Sequence, residues 1–388
     1  MIIKSVSAKS ILDCRKDKTI SVKIETNSGN FEASSPSGKS TGKYEAKSYK
    51  KNLEGDIKTL KEFKDYFSKE IIENFDDLRR VEDIVEGHIG ANSLFALESA
   101  VLKALAKEQK KEVWQLINPK LSSSGKFPRS VGNCIGGGKH SQVSKKPDFQ
   151  EFLLIPDEKT FKENFEKNKK IKDFMKISLK KTDESFKGEK NDENAWITSL
   201  NEKEVFDILK EAGIPLGTDV ASSGFYKRKK YLYQNPMLKR TEEEQFLYIE
   251  NLIKNFELFY AEDPFDEEDF DSFAKLLAKF KNCLIVGDDL IVTNHKRLER
   301  AIKKRSVNAI IVKPNQCGSL LEVRRVVEMA KKNNIKTVFS HRSGETEEWI
   351  LADLAFGFQA DFFKCGIDGA ERETKLRRLI EIEKALSQ

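Results

Sequence analysis

Hydrophobic positions divide the chain into two regions with different patterns. In the first region, apolar and polar residues alternate over 20–24 and the turn sequence Asn27-Ser28-Gly29 follows, which predicts a β-hairpin. Over 94–105, apolar residues recur at spacings of three and four, which predicts one buried face of a helix. Strands followed by helices predict a small α+β domain over residues 1–125.

The second region, residues 126–388, alternates between short apolar runs and helical patterns. The runs lie at 258–260, 284–286, 310–312, 338–339 and 362–363. The helical patterns lie at 273–280, 320–332 and 347–358. This alternation predicts parallel βα units.

Polar or ionisable side chains stand where the predicted strands end. They are Asp219, Glu262, Asp288, Lys313, the triplet His341-Arg342-Ser343, and Lys364. From Glu262 onward they recur about every 25 residues, the spacing of βα units. In a (β/α)₈ barrel such positions converge on one mouth, where active sites lie. The pattern therefore predicts a TIM-like barrel with a site at its mouth, and not charged residues that merely begin loops.

Three of these strand ends carry carboxylates: Asp219, Glu262 and Asp288. Brought together, they would repel one another and their pKa values would rise. A hard divalent cation relieves this repulsion, and all-oxygen ligands favour Mg²⁺ over zinc or copper. A salt bridge to a nearby lysine is the alternative for any one of the three.

Two lysines, Lys313 and Lys364, are expected across the mouth from that cation. A lysine near a dication and a second lysine has its charged form disfavoured, so its pKa falls and it can act as a general base near neutral pH. Lys313 directly follows an apolar strand, which argues against a solvated surface lysine. Carboxylates, a cation and a basic lysine suit proton abstraction beside a carboxylate, with the metal stabilising the enolate.

Composition narrows the class of protein. The 388 residues are 38% hydrophobic and 34% charged, which is enough apolar content for folded domains. The apolar runs predict neither a membrane span nor a signal peptide, so a membrane is not expected as a partner. The net charge of +6 is spread along the chain without a basic arm, so nucleic acid is not expected as the primary partner. Scattered cysteines without a CxxC pair indicate reduced thiols of a cytoplasmic protein: Cys14, Cys134, Cys283, Cys317 and Cys365.

One motif is misleading. Gly38-Lys39-Ser40-Thr41 is similar to the end of a phosphate-binding P-loop. That motif needs a glycine five positions before Gly38, where this chain has Ala33, and the segment follows a hairpin and not a central parallel strand. We therefore do not expect an NTPase.

A series of short motifs, specific when taken together and in order, resembles the enolase family over nearly the whole chain. They include Ser-Gly-Lys-Ser-Thr-Gly at 37–42, Gly-Gly-Gly-Lys-His at 136–140, Gln-Glu at 150–151, Asp-Glu at 192–193, Glu-Asp-Pro-Phe at 262–265, Gly-Asp-Asp-Leu at 287–290, Lys-Pro-Asn-Gln at 313–316, Ser-His-Arg-Ser-Gly-Glu at 340–345 and Phe-Lys-Cys-Gly at 363–366. The resemblance implies an enolase-type C-terminal barrel with an N-terminal capping domain. It also implies Mg²⁺-dependent, reversible dehydration of 2-phospho-D-glycerate to phosphoenolpyruvate in glycolysis and gluconeogenesis.

The resemblance implies roles for individual residues. Lys313 matches the base and Glu193 the acid, with Glu151 beside it. Asp219, Glu262 and Asp288 match the ligands of one of two Mg²⁺ ions per active site, and Ser40 a contributor to the second, on a loop that closes over substrate. The implied substrate contacts are His140, Gln150, His341, Arg342, Ser343 and Lys364. A cytoplasmic homodimer or larger assembly, such as an octamer, is also implied.

The chain departs from the family pattern in two places. Where the family has Ser-Arg-Gly-Asn-Pro, this chain has Cys14-Arg15-Lys16-Asp17-Lys18. Where the family has glycine after its Asp-Glu pair, this chain has Asn194, on the loop that carries Glu193. The Gly-Gly-Gly-Lys-His form at 136–140 resembles archaeal members.

Three other functions are weighed against this one. An aldolase would use Lys313 or Lys364 as a Schiff-base nucleophile, but it would not need three carboxylates. An acid-sugar dehydratase of the same superfamily would share the metal ligands but would not need the phosphate-suited Arg342-Ser343. A catalytically impaired homologue acting as a binding protein would not need the near-complete set of polar strand ends.

Overall fold

The computed structural model describes residues 1–39, 42–121 and 125–387. The N-terminal part begins with three strands, β1 (Ile3–Leu12), β2 (Lys18–Thr26) and β3 (Gly29–Ser34). Five helices follow: α1 (Leu53–Glu62), α2 (Lys64–Phe67), α3 (Leu78–Val85), α4 (Ala91–Gln109) and α5 (Val113–Ile117). The predicted hairpin is β2–β3, and β1 pairs antiparallel with β2. The helix predicted over 94–105 lies within α4, which packs on β2 and β3.

The C-terminal part alternates strands and helices, as predicted. In chain order it contains β4 (Arg129–Gly136), β5 (Glu151–Leu154), α6 (Phe161–Thr182), β6 (Trp196–Ile197), α7 (Glu202–Leu209), β7 (Leu216–Asp219), β8 (Tyr226–Lys227), β9 (Lys230–Gln234), β10 (Met237–Arg240), α8 (Glu242–Phe256), β11 (Tyr260–Glu262), α9 (Phe270–Lys279), β12 (Leu284–Gly287), α10 (His295–Lys304), β13 (Ala309–Val312), α11 (Pro314–Cys317), α12 (Leu320–Lys332), β14 (Lys336–Ser340), α13 (Ile350–Gly357), β15 (Phe362–Lys364) and α14 (Ala370–Leu386).

Eight of these strands close into a barrel, in the order β4, β5, β7, β11, β12, β13, β14 and β15, and β15 pairs back with β4. The barrel is mixed, because β5 runs antiparallel to both neighbours. A parallel return needs a long crossover, usually helical. The connection from β4 to β5 contains only the 3₁₀ turn Gly138–His140, so the chain comes back in the opposite direction. This reversal brings the start of β5 to the mouth of the barrel.

Apolar side chains fill the barrel interior. Tyr260, Val286 and Ile311, from three neighbouring strands, are fully buried in one cluster. The strand predicted at 258–260 begins two residues later, because its ladder with β7 and β12 runs over Tyr260–Glu262. The helix predicted over 347–358 begins only at Ile350, whose N–H donates to the Glu348 carboxylate at 3.1 Å.

The N-terminal domain is fastened over the mouth of the barrel. Ser37 and Gly344 exchange backbone hydrogen bonds of 2.7 and 3.0 Å. A Cβ at position 344 would lie 2.1 Å from Oδ2 of Asp13, so only glycine permits this approach. From the barrel side, Asn315 donates to the carbonyl of Pro36 (3.2 Å) and to the side chain of Asn92 (3.0 Å). Among the described helices, none has the length and apolarity that a membrane crossing requires.

Candidate active site

The polar strand ends converge on one cavity between the barrel mouth and the N-terminal domain. Its lining includes eleven of the sequence-predicted site residues: His140, Gln150, Glu151, Glu193, Asp219, Asp288, Lys313, His341, Arg342, Ser343 and Lys364. Glu262 joins this group through its contact with Lys364. Ser40 lies outside the described residues.

The antiparallel strand β5 explains how Gln150 and Glu151 reach the mouth. They stand at the amino end of β5, and Glu151 pairs in register with Asp219, the last residue of β7. The carboxyl ends of the other barrel strands lie at this same mouth of the barrel. His140 reaches the cavity from the 3₁₀ turn that follows β4.

Lys364 ties together three buried carboxylates. Its Nζ lies 3.1 Å from Asp219, 2.8 Å from Glu262 and 3.2 Å from Glu151. Burial disfavours the charged amine, but these carboxylates outweigh it and hold the pKa of Lys364 well above its ordinary value. Burial, together with the charges of Asp219 and Asp288, raises the pKa of Glu262 to about 8.

Lys313 forms an ion pair with Asp288. Asp288 is buried and the Lys313 side chain is 15% exposed, and this partial burial alone would lower the pKa of the lysine. The Asp288 carboxylate outweighs burial and the nearby charges of Arg342 and Lys364, so the pKa of Lys313 is raised. The sequence analysis expects a lowered pKa for a lysine beside a bound cation, and that expectation stays a prediction. In the ion pair described here, Asp288 raises the pKa of Lys313 instead.

Two further carboxylates that are not among the predicted site residues, Asp263 and Asp289, lie beside Asp288. One carboxylate oxygen each from Asp263, Asp288 and Asp289 lies within 4.8 Å of the others. Asp263 accepts hydrogen bonds from the backbone N–H groups of Asp288 (3.0 Å) and Asp289 (2.7 Å). Burial and the charge of Asp288 raise the pKa of Asp289 to about 7. Asp263 and Asp289 each directly follow a predicted ligand, which is the sequence signal that could have identified them.

These oxygens have the chemistry that suits Mg²⁺. All of the donors are carboxylates, the hard ligands this cation prefers. Five carboxylates, namely Asp219, Glu262, Asp263, Asp288 and Asp289, face only two lysine counter-charges, Lys313 and Lys364, among the contacts described above. In addition, Oε2 of Glu151 is buried without a hydrogen-bond partner among the described residues. The site therefore fits a divalent cation.

Glu193 lies at the tip of a tight loop and points into the cavity. Asn133 donates to its Oε2 at 3.0 Å, and the Nε2 atoms of His140 and His341 lie 3.6 and 3.8 Å from its Oε1. Burial opposes ionisation, but His140, His341 and a nearby arginine hold the pKa of Glu193 below its ordinary range. Burial and the charge of Glu193 raise the pKa of the adjacent Glu151 well above its ordinary value. The pKa values of these two neighbouring carboxyl groups are thus shifted in opposite directions.

Asparagines within the loop around Glu193 shape its backbone. Oδ1 of Asn191 accepts the backbone N–H groups of Glu193 (3.0 Å) and Ala195 (2.9 Å). Asn194 has a positive φ of 62°, a left-handed conformation that glycine adopts freely and asparagine tolerates. Asparagine therefore permits the left-handed turn at this position, where the family pattern has glycine.

Arg342 is bound by a residue that sequence reasoning missed. Glu45, from the N-terminal domain, accepts hydrogen bonds from Nη1 at 3.1 Å and from Nη2 at 3.0 Å. Ser343 accepts from Arg15 (3.0 Å) and from the backbone N–H of Lys39 (3.1 Å). The changed segment at 14–18 therefore still delivers an arginine to the site. No spacing in the sequence links Glu45 to Arg342, since 297 positions separate them.

Comparison with known proteins identifies the family. Residues 3–117 match the family described as "Enolase, N-terminal domain", and residues 125–388 match "Enolase, C-terminal TIM barrel domain". The chain belongs to the enolase family. It is 35% identical to the enolase of Methanosphaera stadtmanae, over 99% of this chain and 97% of that protein. It is also 35% identical to the enolase of Natronomonas pharaonis (98% of this chain, 99% of that one) and 33% identical to that of Archaeoglobus fulgidus (100% and 98%).

These relatives are archaeal, so the prediction of an archaeal-like enolase is confirmed. The predicted fold, an N-terminal α+β domain and a C-terminal enolase barrel, is confirmed as well. A Schiff-base aldolase is disfavoured on physical grounds as well as by family membership. Lys364, with its raised pKa, is held protonated by three carboxylates, whereas a Schiff-base nucleophile must be a neutral amine.

Proposed function

We propose that this enolase-family chain catalyses the reversible dehydration of 2-phospho-D-glycerate to phosphoenolpyruvate, the phosphopyruvate hydratase reaction, with Mg²⁺. The observation that carries the proposal is the meeting of Lys313, Glu193, Arg342 and the buried carboxylates in one cavity. Proton removal, departure of hydroxide and recognition of a phosphate need a base, an acid and paired donors in one place.

Asp219, Glu262 and Asp288 would hold the first Mg²⁺, and Asp263 and Asp289 each place a carboxylate oxygen within 4.8 Å of one from Asp288. Ser40 is proposed to contribute to a second ion. When bound, Mg²⁺ supplies positive charge that stabilises the enolate form of the substrate carboxylate. Lys364 pairs with Asp219 and Glu262 of this cluster of carboxylates. It is also proposed to bind the carboxylate of the substrate.

Lys313 is the proposed base that removes the proton at carbon 2. In the structure it is paired with Asp288 and its pKa is raised. If Asp288 held a metal ion, it would share its negative charge with that ion. The charges of Arg342 and Lys364, which act to lower the pKa of Lys313, would then favour the neutral amine. A neutral amine accepts the carbon-2 proton.

Glu193 is the proposed acid at the departing carbon-3 hydroxide. Asn133 donates to its carboxyl group, and His140 and Glu151 lie beside it. Arg342 binds the phosphate through its planar fork of donors, with Ser343 beside it. His140, Gln150 and His341 are proposed as the remaining substrate contacts.

The experiment that tests the function is formation of phosphoenolpyruvate from 2-phosphoglycerate, followed by ultraviolet absorbance, with Mg²⁺ and with excess chelator. Turnover that depends on Mg²⁺ is the expected result. Absence of turnover with Mg²⁺ would favour the impaired binding homologue. We also propose a cytoplasmic homodimer or larger assembly, which light scattering of the purified protein tests.

A further inference from the structure

Helix α6 carries a lysine in its buried face. Buried positions recur along this helix at spacings of three and four, at Phe161, Phe165, Asn168, Lys172, Met175 and Leu179. The Lys172 side chain is only 3% exposed. A buried ammonium group is costly unless an ion pair and hydrogen bonds replace its water. The partners that Lys172 finds therefore show what it holds in place.

Those partners connect Lys172 to the loop of Glu193. Its Nζ donates to the backbone carbonyl of Asn194 and, at 2.7 Å, to Oδ1 of Asp368. Lys190, at the start of the loop, binds the other Asp368 oxygen at 2.8 Å. Trp196, at the end of the loop, donates from its indole to the carbonyl of Lys172 at 2.9 Å. The start of the loop is thus bound to Asp368, after β15, by the ion pair of Lys190, and its end is bound to α6 by the indole of Trp196. Lys172 contacts both Asp368 and the loop carbonyl of Asn194.

The bond to Asn194 falls where the loop departs from the family pattern. Asn194 holds a left-handed conformation that costs more for asparagine than for glycine. Its side chain lies 2.2 Å from where a Cβ at Gly369 would stand, so the glycine there makes room for it. On the other side of Glu193, Arg372 donates to the carbonyl of Asp192 at 3.2 Å. The buried side chains of Lys172 and Arg372 thus donate to the backbone carbonyls of the residues on both sides of Glu193.

We infer that Lys172, fixed by Asp368, is a positioning residue for Glu193 in the dehydration step; this inference rests on the proposed function. Lys172 lies on α6 and has no described contact with Lys313 or with the carboxylates around it. It therefore acts on the departure of hydroxide and not on removal of the carbon-2 proton. Displacement of a catalytic group by about 1 Å can cost about 10²-fold in rate.

The test compares two measurements on the same full-length enzyme with Mg²⁺. One is turnover of 2-phosphoglycerate, and the other is exchange of its carbon-2 proton with deuterated solvent. Lys172→Met keeps an unbranched side chain one atom shorter than lysine and removes the charge and the donors. We expect turnover to fall by about 10- to 100-fold while exchange stays within about twofold of wild type. Lys169→Met is the matched control, since Lys169 lies on the same helix but is 41% exposed, with Glu373 as its partner.

Several outcomes would overturn the inference. Turnover of Lys172→Met within twofold of wild type would do so, as would equal losses of turnover and exchange, which indicate a general structural role. If Lys172→Met does not fold, Asp368→Asn decides on the same two measurements, with an expected three- to tenfold loss of turnover alone. A wild-type enzyme that forms no phosphoenolpyruvate would refute the proposed function instead.

Discussion

Glu45 and Arg342 form a bidentate ion pair that joins the N-terminal domain to the barrel mouth, with N–O distances of 3.0 to 3.1 Å. Both side chains are buried, at 7% and 5% exposure. The same guanidinium is the proposed binding group for the substrate phosphate. Carboxylate and phosphate favour the same paired donors of an arginine, so the two compete.

Weakening this pair should therefore help substrate binding. Glu45→Gln removes the competing charge and keeps one acceptor, so we expect KM for 2-phosphoglycerate to fall by about three- to tenfold, the equivalent of about 1 kcal/mol, with kcat little changed. Steady-state kinetics at saturating Mg²⁺ measures this. An increase in KM would mean that Glu45 orients Arg342 for the phosphate and does not compete with it. Glu347→Gln, a nearby exposed carboxylate, serves as the control.

The acidic strand ends give a prediction about metal dependence. Excess chelator should abolish turnover, and added Mg²⁺ should restore it. Asp288→Asn removes one anionic ligand while nearly preserving shape, so we expect its half-saturating Mg²⁺ concentration to rise at least tenfold. Titration of activity with Mg²⁺ measures the change. Asp207→Asn, an exposed carboxylate on α7, should leave the Mg²⁺ requirement unaltered. Full turnover in thorough chelator would remove the proposed role of Mg²⁺.

The sequence predicted the barrel and the residues at its strand ends because both depend on local patterns. An apolar run followed by a charged residue is visible at Asp288 and Lys313 without knowledge of the fold. The reversed strand β5 was not predicted, since its direction depends on a connection without a helix and not on its own residues. The family resemblance, and not periodicity, supplied Glu151 and Glu193.

Partners across the domain boundary could not be predicted. Glu45 lies far from Arg342 in sequence, and its contact depends on how one domain sits on the other. The raised pKa of Lys313 likewise depends on its pairing with Asp288, which the sequence assigned only as a metal ligand. The position of Lys172 is a sequence feature that could have indicated its role. It occupies a position in the apolar stripe of α6, where an unpaired lysine would be too costly to bury.

Glu202, at the start of α7, gives a prediction about stability and pH. It is 2% exposed and accepts from the N–H of Asp148 at 2.6 Å. Burial raises its pKa from 4.5 to about 7. The folded protein therefore binds this proton more tightly than the unfolded chain. Stability is lost as pH rises from about 4.5 to about 7, by about 3 kcal/mol at most, and stays lower above that range.

Glu202→Gln removes this titration and keeps an acceptor for the N–H of Asp148. We expect the variant to be more stable than wild type at pH 8, by up to about 3 kcal/mol, and nearly equal to it at pH 5. Urea denaturation at the two pH values measures the difference. Asp207→Asn, on the exposed side of the same helix, should show no such pH-dependent gain. Equal stability of Glu202→Gln and wild type at pH 8 would mean that ionisation of Glu202 in the folded protein does not lower the free energy of unfolding.

The final prediction separates the two proposed proton-transfer residues. If Lys313 removes the carbon-2 proton first, Lys313→Ala should lose both turnover and exchange of that proton with deuterated solvent. If Glu193 acts second, on the leaving hydroxide, Glu193→Gln should lose turnover but keep exchange, because the enolate still forms and takes up a deuteron. Each loss should reach about 10²–10⁴-fold, the usual contribution of a positioned acid or base.

Mass spectrometry of recovered 2-phosphoglycerate measures exchange, and absorbance measures turnover, on the same samples. Lys336→Ala serves as the control, because Lys336 lies at the opposite end of a barrel strand and pairs with Asp361 at 2.8 Å. Exchange that survives in Lys313→Ala but disappears in Glu193→Gln would reverse the two assignments. Asn194 stands beside Glu193 where the family has glycine. Retained exchange in Glu193→Gln, with loss of turnover, would therefore also indicate that Glu193 acts only in the second step in spite of this change in its loop.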